Sequence, residues 1–296
     1  MDITAESETT FTIPNEMTPA FIVPVLAGGG SRLSAHIGVL TALQEMGLRF
    51  PSLVGVSGGS IVGALFAAGY SLNQIRVIAE ETDFSQFLGQ SLFRLLRTGG
   101  LSTGNRFEEW MDNKLNGATF ADLEYPFHVV ATDVRSGLPV VFDKQRTPHL
   151  KVSLAVRFSM SIPIIFSFKE FEGHLMVDGS ILSEESLQQD WAGDGSPVVV
   201  FRLSSIQERA ETKKIRYFPL IGYLSLLIRT FMTTMSREYI SEHFWHSTVV
   251  IHAGSISPTE FRLNAEQKNA LFQVGYATTR RIVPMKIAKI LPVFAR

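Results

Sequence analysis

The sequence predicts an α/β fold with a mostly parallel central sheet, and two observations carry that prediction. Short apolar runs of strand length alternate with runs whose apolar residues recur at helical spacing, and glycine-rich turns separate them. Alternation of this kind is the pattern of parallel strands joined by helical crossovers. The chain has 296 residues, 45% apolar and 19% charged. That is a globular composition with enough length to bury a substantial core.

The elements follow in order. Residues 1–19 carry acids before any base and no apolar stretch, so they read as a polar tail and not as a signal peptide. "AFIVPVLAGGG" is a buried strand entering a glycine turn, and "SAHIGVLTALQEMG" is a helix ending at Gly47. "FPSLVGVS" is a second strand and "SIVGALFAAGY" a second helix. From Ser71 to Leu123 the pattern is mostly helical, punctuated at "RTGGLSTGN". "YPFHVVATDVRSGLPVVFD" gives two strands around Ser136-Gly137, and "HLKVSLAVRFSMS" a helix stopped by Pro163. "GHLMVDGS" and "SPVVVFRLSS" are strands. A helix within "LSLLIRTFMTTMSREYISEHF", a strand in "HSTVVIHAG" and a helix in "AEQKNALFQVGYATTRRIV" complete the set. No repeat or low-complexity linker interrupts residues 20–283, which read as one domain; residues 284–296 read as a basic amphipathic segment.

The formal charge of -1 offers no overall attraction to nucleic acid. The chain has no cysteine, which excludes a disulfide framework, a thiolate nucleophile and a Cys-based metal site, and suits a reducing compartment. The longest apolar run, Tyr217 to Ile228, lies between Arg216 and Arg229 and is short of the roughly 20 residues a spanning helix needs. A cytoplasmic location with peripheral membrane contact is therefore expected.

Gly55-Val56-Ser57-Gly58-Gly59 has the G-x-S-x-G form of a nucleophile elbow, with Ser57 on a tight turn from strand to helix and Gly55 and Gly59 allowing close packing. A glycine-rich turn holding an ordinary serine is the plain alternative. A triad would need a histidine later in the chain. His252 is the best placed because it ends a strand, yet no acid stands at a comparable strand end just before it; His128, His149, His174, His243 and His246 lie in strand, turn or helix settings typical of structural histidines. A second stretch, Gly28-Gly29-Gly30, lies between the first strand and first helix, where adjacent backbone N–H groups can converge on an anion. A third, "LMVDGS", ends a strand at Asp178, with Gly179 and Ser180 turning the chain away; alone it is a turn signal.

Together, and in this order, these elements resemble the patatin-like phospholipases, which carry a G-G-G-x-[RK] loop, a G-x-S-x-G serine and a D-G-[GA] aspartate. The likeness runs from about Phe21 through Val283, including "AHIGVL", "GNRFEEWMDNKL", "TFADLEYPFHVVATDVRSGLPVVF" and "VRFSMSIPIIF". The resemblance implies a three-layer α/β/α fold and a lipid acyl hydrolase of phospholipase A or lysophospholipase type. It further implies a Ser57-Asp178 dyad without histidine, an oxyanion hole from Gly28, Gly29 and Gly30, support from Arg32, and no metal or cofactor. His36 also matches, as a structural helix histidine. An acyltransferase with the same acyl-enzyme chemistry is the nearest alternative, and a catalytically weak lipid-binding protein is another.

Three departures stand out. Leu33 occupies a position usually held by glycine, where it either limits close approach of the loop or lines the acyl pocket. Ser180 replaces the small residue after Asp-Gly, and "ILSEESLQQD" replaces the family's usual continuation. For membrane phospholipid or lysophospholipid to be the substrate, some surface must meet the bilayer. "TTRRIVPMKIAKILPVFAR" has five basic residues and no acid, which points to Arg280, Arg281, Lys286 and Lys289; "KKIRYFPLIGYLSLLIR" is a second candidate.

Overall fold

A computed structural model of the chain describes residues 21–89, 91–182, 185–204, 223 and 244–294. The polar tail lies outside these residues. So do the helix expected over 224–244, apart from Phe244, and the stretch 213–229, apart from Tyr223.

The strands are β1 (Val23–Ala27), β2 (Leu53–Val56), β3 (Gly100–Ser102), β4 (Phe127–Asp133), β5 (Pro139–Phe142), β6 (Ile164–Phe166), β7 (Lys169–Phe171), β8 (His174–Val177), β9 (Val198–Ser204) and β10 (Thr248–His252). The helices are α1 (Leu33–Glu45), α2 (Gly58–Ala67), α3 (Leu72–Glu81), α4 (Leu92–Thr98), α5 (Asn105–Lys114), α6 (Val152–Ser159) and α7 (Ala265–Phe294). The main sheet runs β10-β9-β1-β2-β4-β8-β7, with β5 also paired to β4. Pairs from β10 through β4 are parallel, whereas β5, β8 and β7 join antiparallel. The fold is the expected mixed α/β class with a mostly parallel sheet.

Both faces of the central strands are covered, which is why they read as unbroken apolar runs. Val23, Val25, Val54, Val56 and Val200 pack with Leu182, Leu187 and Trp191 on one face. Leu26, Leu53 and Phe201 face the opposite way, into the larger core with Leu40, Ile61, Phe158 and Leu271 from the helices. α1 and α7 touch backbone to backbone: a Cβ on Gly275 would stand 2.0 Å from the Ala35 carbonyl oxygen. α7 runs unbroken through Val283, so the boundary drawn there falls inside a helix. Among the described residues no helix is long and apolar enough to cross a membrane.

Register fixes the position of the motifs. Ala27 pairs with Val56, so Gly28 and Ser57 follow side by side at the carboxyl ends of β1 and β2. Val177 pairs antiparallel with Thr132, which returns Asp178 to that same edge. Open α/β sheets hold their ligands at the carboxyl ends of the strands. Three strands appear that the sequence does not predict: β3, inside "RTGGLSTGN", pairs with β6, just after Pro163, in a small sheet of its own, and β7 pairs with β8 at the edge of the main sheet. Three residues per strand are too few to show a period of two.

Candidate active site

Ser57 caps α2 with φ 53 and ψ -128, a left-handed conformation rarely taken by a residue with a side chain. Holding it costs about 1–3 kcal/mol, which the surroundings must offset. They do so through hydrogen bonds: the Ser57 N–H donates to Ser159 Oγ at 2.8 Å, and Ser60 Oγ donates to the Ser57 carbonyl at 2.6 Å. The glycines of the elbow are steric requirements. A Cβ on Gly59 would lie 2.1 Å from the Leu26 carbonyl oxygen, and one on Gly55 2.5 Å from Ser60 Cα.

Ser57 Oγ donates to Asp178 Oδ2 at 2.6 Å. The other carboxylate oxygen accepts the Ser180 N–H at 2.8 Å, the Asp178 N–H donates to the Ser161 carbonyl at 3.1 Å, and Thr132 Oγ1 donates to the Asp178 carbonyl at 3.2 Å. Ser57 and Asp178 are both fully buried, and Met160 Sδ lies 3.7 Å from Ser57 Oγ. Burial pushes the Asp178 carboxyl above its ordinary pKa, and the hydrogen bonds from Ser180 and Ser57 oppose that rise. A buried carboxylate on a serine hydroxyl, poised above its usual basicity, is an arrangement for proton transfer.

Gly28, Gly29 and Gly30 have φ values of 73, 111 and 54, a run of left-handed backbone that favours glycine at all three positions. The three are not equivalent. The Gly28 N–H already donates to the Val56 carbonyl at 3.1 Å, which removes it from the expected oxyanion hole. The Gly29 and Gly30 N–H groups make no backbone hydrogen bond among the described residues. Gly30 also abuts the elbow, since a Cβ on Gly58 would stand 2.3 Å from the Gly30 carbonyl oxygen.

Arg32 is buried; its Nε donates to the Gly29 carbonyl at 3.1 Å and its Nη1 to Ile256 at 3.3 Å, and burial lowers its pKa to about 10. His36 Nε2 donates to the Gly28 carbonyl at 3.1 Å; burial lowers its pKa to about 4, so the ring is neutral. Leu33 belongs to the main core, and the small cavity beneath the loop is lined instead by Gly28, Arg32, Ser180 and Arg202.

No histidine hydrogen-bonds Ser57 or Asp178 among the described residues. His128 is engaged with Asp143 and His174 with Asp133, while His252 lies in a groove between β10 and α7. Nor do the described residues include a cluster of three His, Asp or Glu side chains that could hold a metal ion. Two of the basic residues expected to meet a membrane, Arg280 and Lys286, lie away from Ser57 and Asp178. α1 starts next to the glycine loop and ends about 20 Å away at Glu45, where Arg280 pairs with it at 3.4 Å. Lys286 stacks over Trp245, just before the amino end of β10. Arg280 and Lys286 therefore belong to the sheet edge opposite Ser57. The side chain of Lys289 is outside the described residues.

What sequence reasoning missed is the end of α6. Ser159, Met160 and Ser161 each contact Ser57 or Asp178, and they lie within "VRFSMSIPIIF", where the sequence predicts the end of a helix and no role at the site. A serine alternating across an apolar helix end carries no local signal of its partner more than 100 residues away.

Against known proteins, the family model described as Patatin-like phospholipase matches residues 25–187, more than half of the chain. The chain belongs to the patatin-like phospholipase family. Among relatives, it is 27% identical over 287 residues to protein YqhO of Bacillus subtilis, covering 88% of this chain and 97% of that one. It is 29% identical over 204 residues to patatin-like phospholipase domain-containing protein 7 of Rattus norvegicus, covering 68% of this chain but 15% of that much longer protein. Among solved structures, VipD from Legionella pneumophila superposes with a TM-score of 0.62 at 15% identity, over 90% of this chain and 67% of that one. That likeness concerns the fold. Family membership supports a lipid hydrolase.

Proposed function

We propose that the chain is a serine lipid acyl hydrolase of phospholipase A or lysophospholipase type. The observation that carries this reading is the 2.6 Å hydrogen bond from Ser57 Oγ to Asp178 within a patatin-like phospholipase fold. Ser57 Oγ attacks the ester carbonyl carbon while Asp178 takes its proton. The tetrahedral oxyanion accepts hydrogen bonds from the Gly29 and Gly30 N–H groups, each worth roughly 3 kcal/mol if well aligned. The bond to the leaving oxygen then breaks as Asp178 returns the proton to it, releasing the lysolipid or alcohol. Water attacks the acyl-enzyme, giving its proton to Asp178, and the fatty acid departs as the proton returns to Ser57.

The dyad edge has to face the lipid, and a molecule with one such edge cannot also dock by the opposite one. The contact expected through Arg280, Arg281, Lys286 and Lys289 is therefore not part of this proposal. The test is release of fatty acid and lysolipid from mixed phospholipid vesicles by the natural chain, Ser57→Ala and Asp178→Asn, each checked for folding. Release that both substitutions abolish supports the dyad, and the products give the lipid class. Release that survives Ser57→Ala overturns the reading; binding without release favours the lipid-binding alternative.

A further inference from the structure

Phe93 and Leu96 on α4 are 74% and 80% exposed, more than any other large apolar side chain among the described residues. At a spacing of three they share one helix face. Arg94 and Arg97 are exposed beside them, α4 contains no acid, and neither guanidinium makes a hydrogen bond or ion pair among the described residues. An apolar face edged by unpaired cations complements an anionic amphiphilic surface.

A chain of hydrogen bonds connects the end of α4 to Asp178. Thr98 Oγ1 hydrogen-bonds Ser167 Oγ at 2.7 Å, and the Ser167 N–H donates to the Ser102 carbonyl at 2.8 Å. Arg157, fully buried, ties this unit to α6. Its Nη2 donates to the Thr103 and Ser167 carbonyls at 2.7 and 2.8 Å, and its Nη1 to Ser161 Oγ at 2.5 Å. The Ser161 carbonyl holds Asp178. Phe168, 46% exposed, packs against Gly99 at the end of α4 and adds a third exposed apolar side chain to this region.

We infer that α4 docks the protein on an anionic lipid bilayer, with Phe93 and Leu96 entering the acyl boundary and Arg94 and Arg97 at the headgroups. The bilayer as occupant rests on the lipid-hydrolase reading. Binding is therefore measured on Ser57→Ala protein, which carries the surface without the nucleophile.

The experiment is co-sedimentation of Ser57→Ala protein with phosphatidylcholine vesicles, with and without phosphatidylglycerol. Added Phe93→Ser/Leu96→Ser is expected to lower partitioning at least about tenfold on both vesicles. Leu96→Ser alone gives part of that loss should the double variant fold poorly. Arg94→Gln/Arg97→Gln is expected to lose about fivefold per arginine, only on phosphatidylglycerol vesicles and only at low salt. Arg280→Gln/Arg281→Gln, on the far edge, should bind as the parent does.

Parent-level binding by both α4 double variants overturns the inference, as does failure of every chain to bind. A gel-filtration shift from dimer to monomer in the α4 variants, with vesicle binding unchanged, assigns the face to a second copy and overturns it too. Fluorophosphonate labelling of chains that retain Ser57 tests the hydrolase reading separately. Binding that depends on α4 without labelling leaves the docking face standing while that reading falls.

Discussion

Ser159 Oγ accepts the Ser57 N–H at 2.8 Å and donates its own proton to the Val130 carbonyl at 2.6 Å, joining the strained elbow to the neighbouring strand. Two residues on, the Ser161 carbonyl accepts the Asp178 N–H. One tripeptide thus holds both Ser57 and Asp178, the proposed nucleophile and base. Ser159→Ala is expected to lower kcat about 10- to 100-fold with KM little changed, because small misplacements of reacting groups have effects of that size. It should also cost about 1–3 kcal/mol by leaving the Ser57 N–H unpaired. Ser153→Ala removes another buried hydroxyl of α6, bonded to Asp112 of α5 and to neither Ser57 nor Asp178. It should lower stability and leave kcat alone. Kinetics and urea midpoints for both chains decide the matter; equal kcat losses would make Ser159 merely structural.

The base role proposed for Asp178 requires its ionised form, and burial raises its pKa above the ordinary 3.8. The acid limb of kcat/KM should therefore lie above the usual carboxylate range. The same shift fixes a stability trend. A raised folded pKa contributes stability below about 3.8, which is lost as pH rises through the folded value. At neutral pH the ionised, buried Asp178 opposes folding. Asp178→Asn should thus lower turnover by about 10²- to 10⁴-fold while unfolding at or above the natural chain's midpoint at pH 7. A clearly lower midpoint would contradict the assignment of a costly buried carboxylate.

Gly30 combines φ 54 with a Cβ direction that points 2.1 Å from the Pro258 carbonyl oxygen. Alanine there is strained in backbone and blocked in space. Gly30→Ala should cost about 2–4 kcal/mol and slow fluorophosphonate labelling of Ser57, because relief of the clash moves the N–H assigned to the oxyanion. Thermal unfolding and labelling rates read the two effects separately. Normal labelling in a destabilised chain would remove Gly30 from the oxyanion site.

The sheet was legible because its strands are buried on both faces, and Val23–Ala27, Leu53–Val56 and Val198–Ser204 stand out as apolar runs. Ser57, the glycine loop and Asp178 were legible because tight turns at strand ends restrict residue type. Other features depend on tertiary partners. That the Gly28 N–H is already used follows from the register of β1 on β2, and the distance of Arg280 from the dyad follows from the length of α1. The exposed face of α4 escaped notice because "LFRLLRT" reads as an ordinary amphipathic turn until its surroundings are known.

His36 gives a pH signature independent of catalysis. Its ring is buried, Nε2 donates to the Gly28 carbonyl, and Nδ1 has no partner among the described residues. Burial holds its pKa near 4, against 6.5 in the open chain, and Arg32 nearby further disfavours a second cation. Because the folded value is depressed, the unfolded chain binds protons more readily across that interval. Folding stability is then fully present above about pH 6.5 and falls as pH drops toward 4, by about 3 kcal/mol in all. His36→Gln keeps an amide donor for the Gly28 carbonyl and does not titrate. Asp178 contributes with opposite sign, but equally in both chains, so the difference between them isolates His36. Urea unfolding from pH 7 to 4.5 should show the natural chain losing stability relative to His36→Gln step by step. Parallel curves would mean that the His36 ring is reached by water and does not lock the loop as a neutral donor.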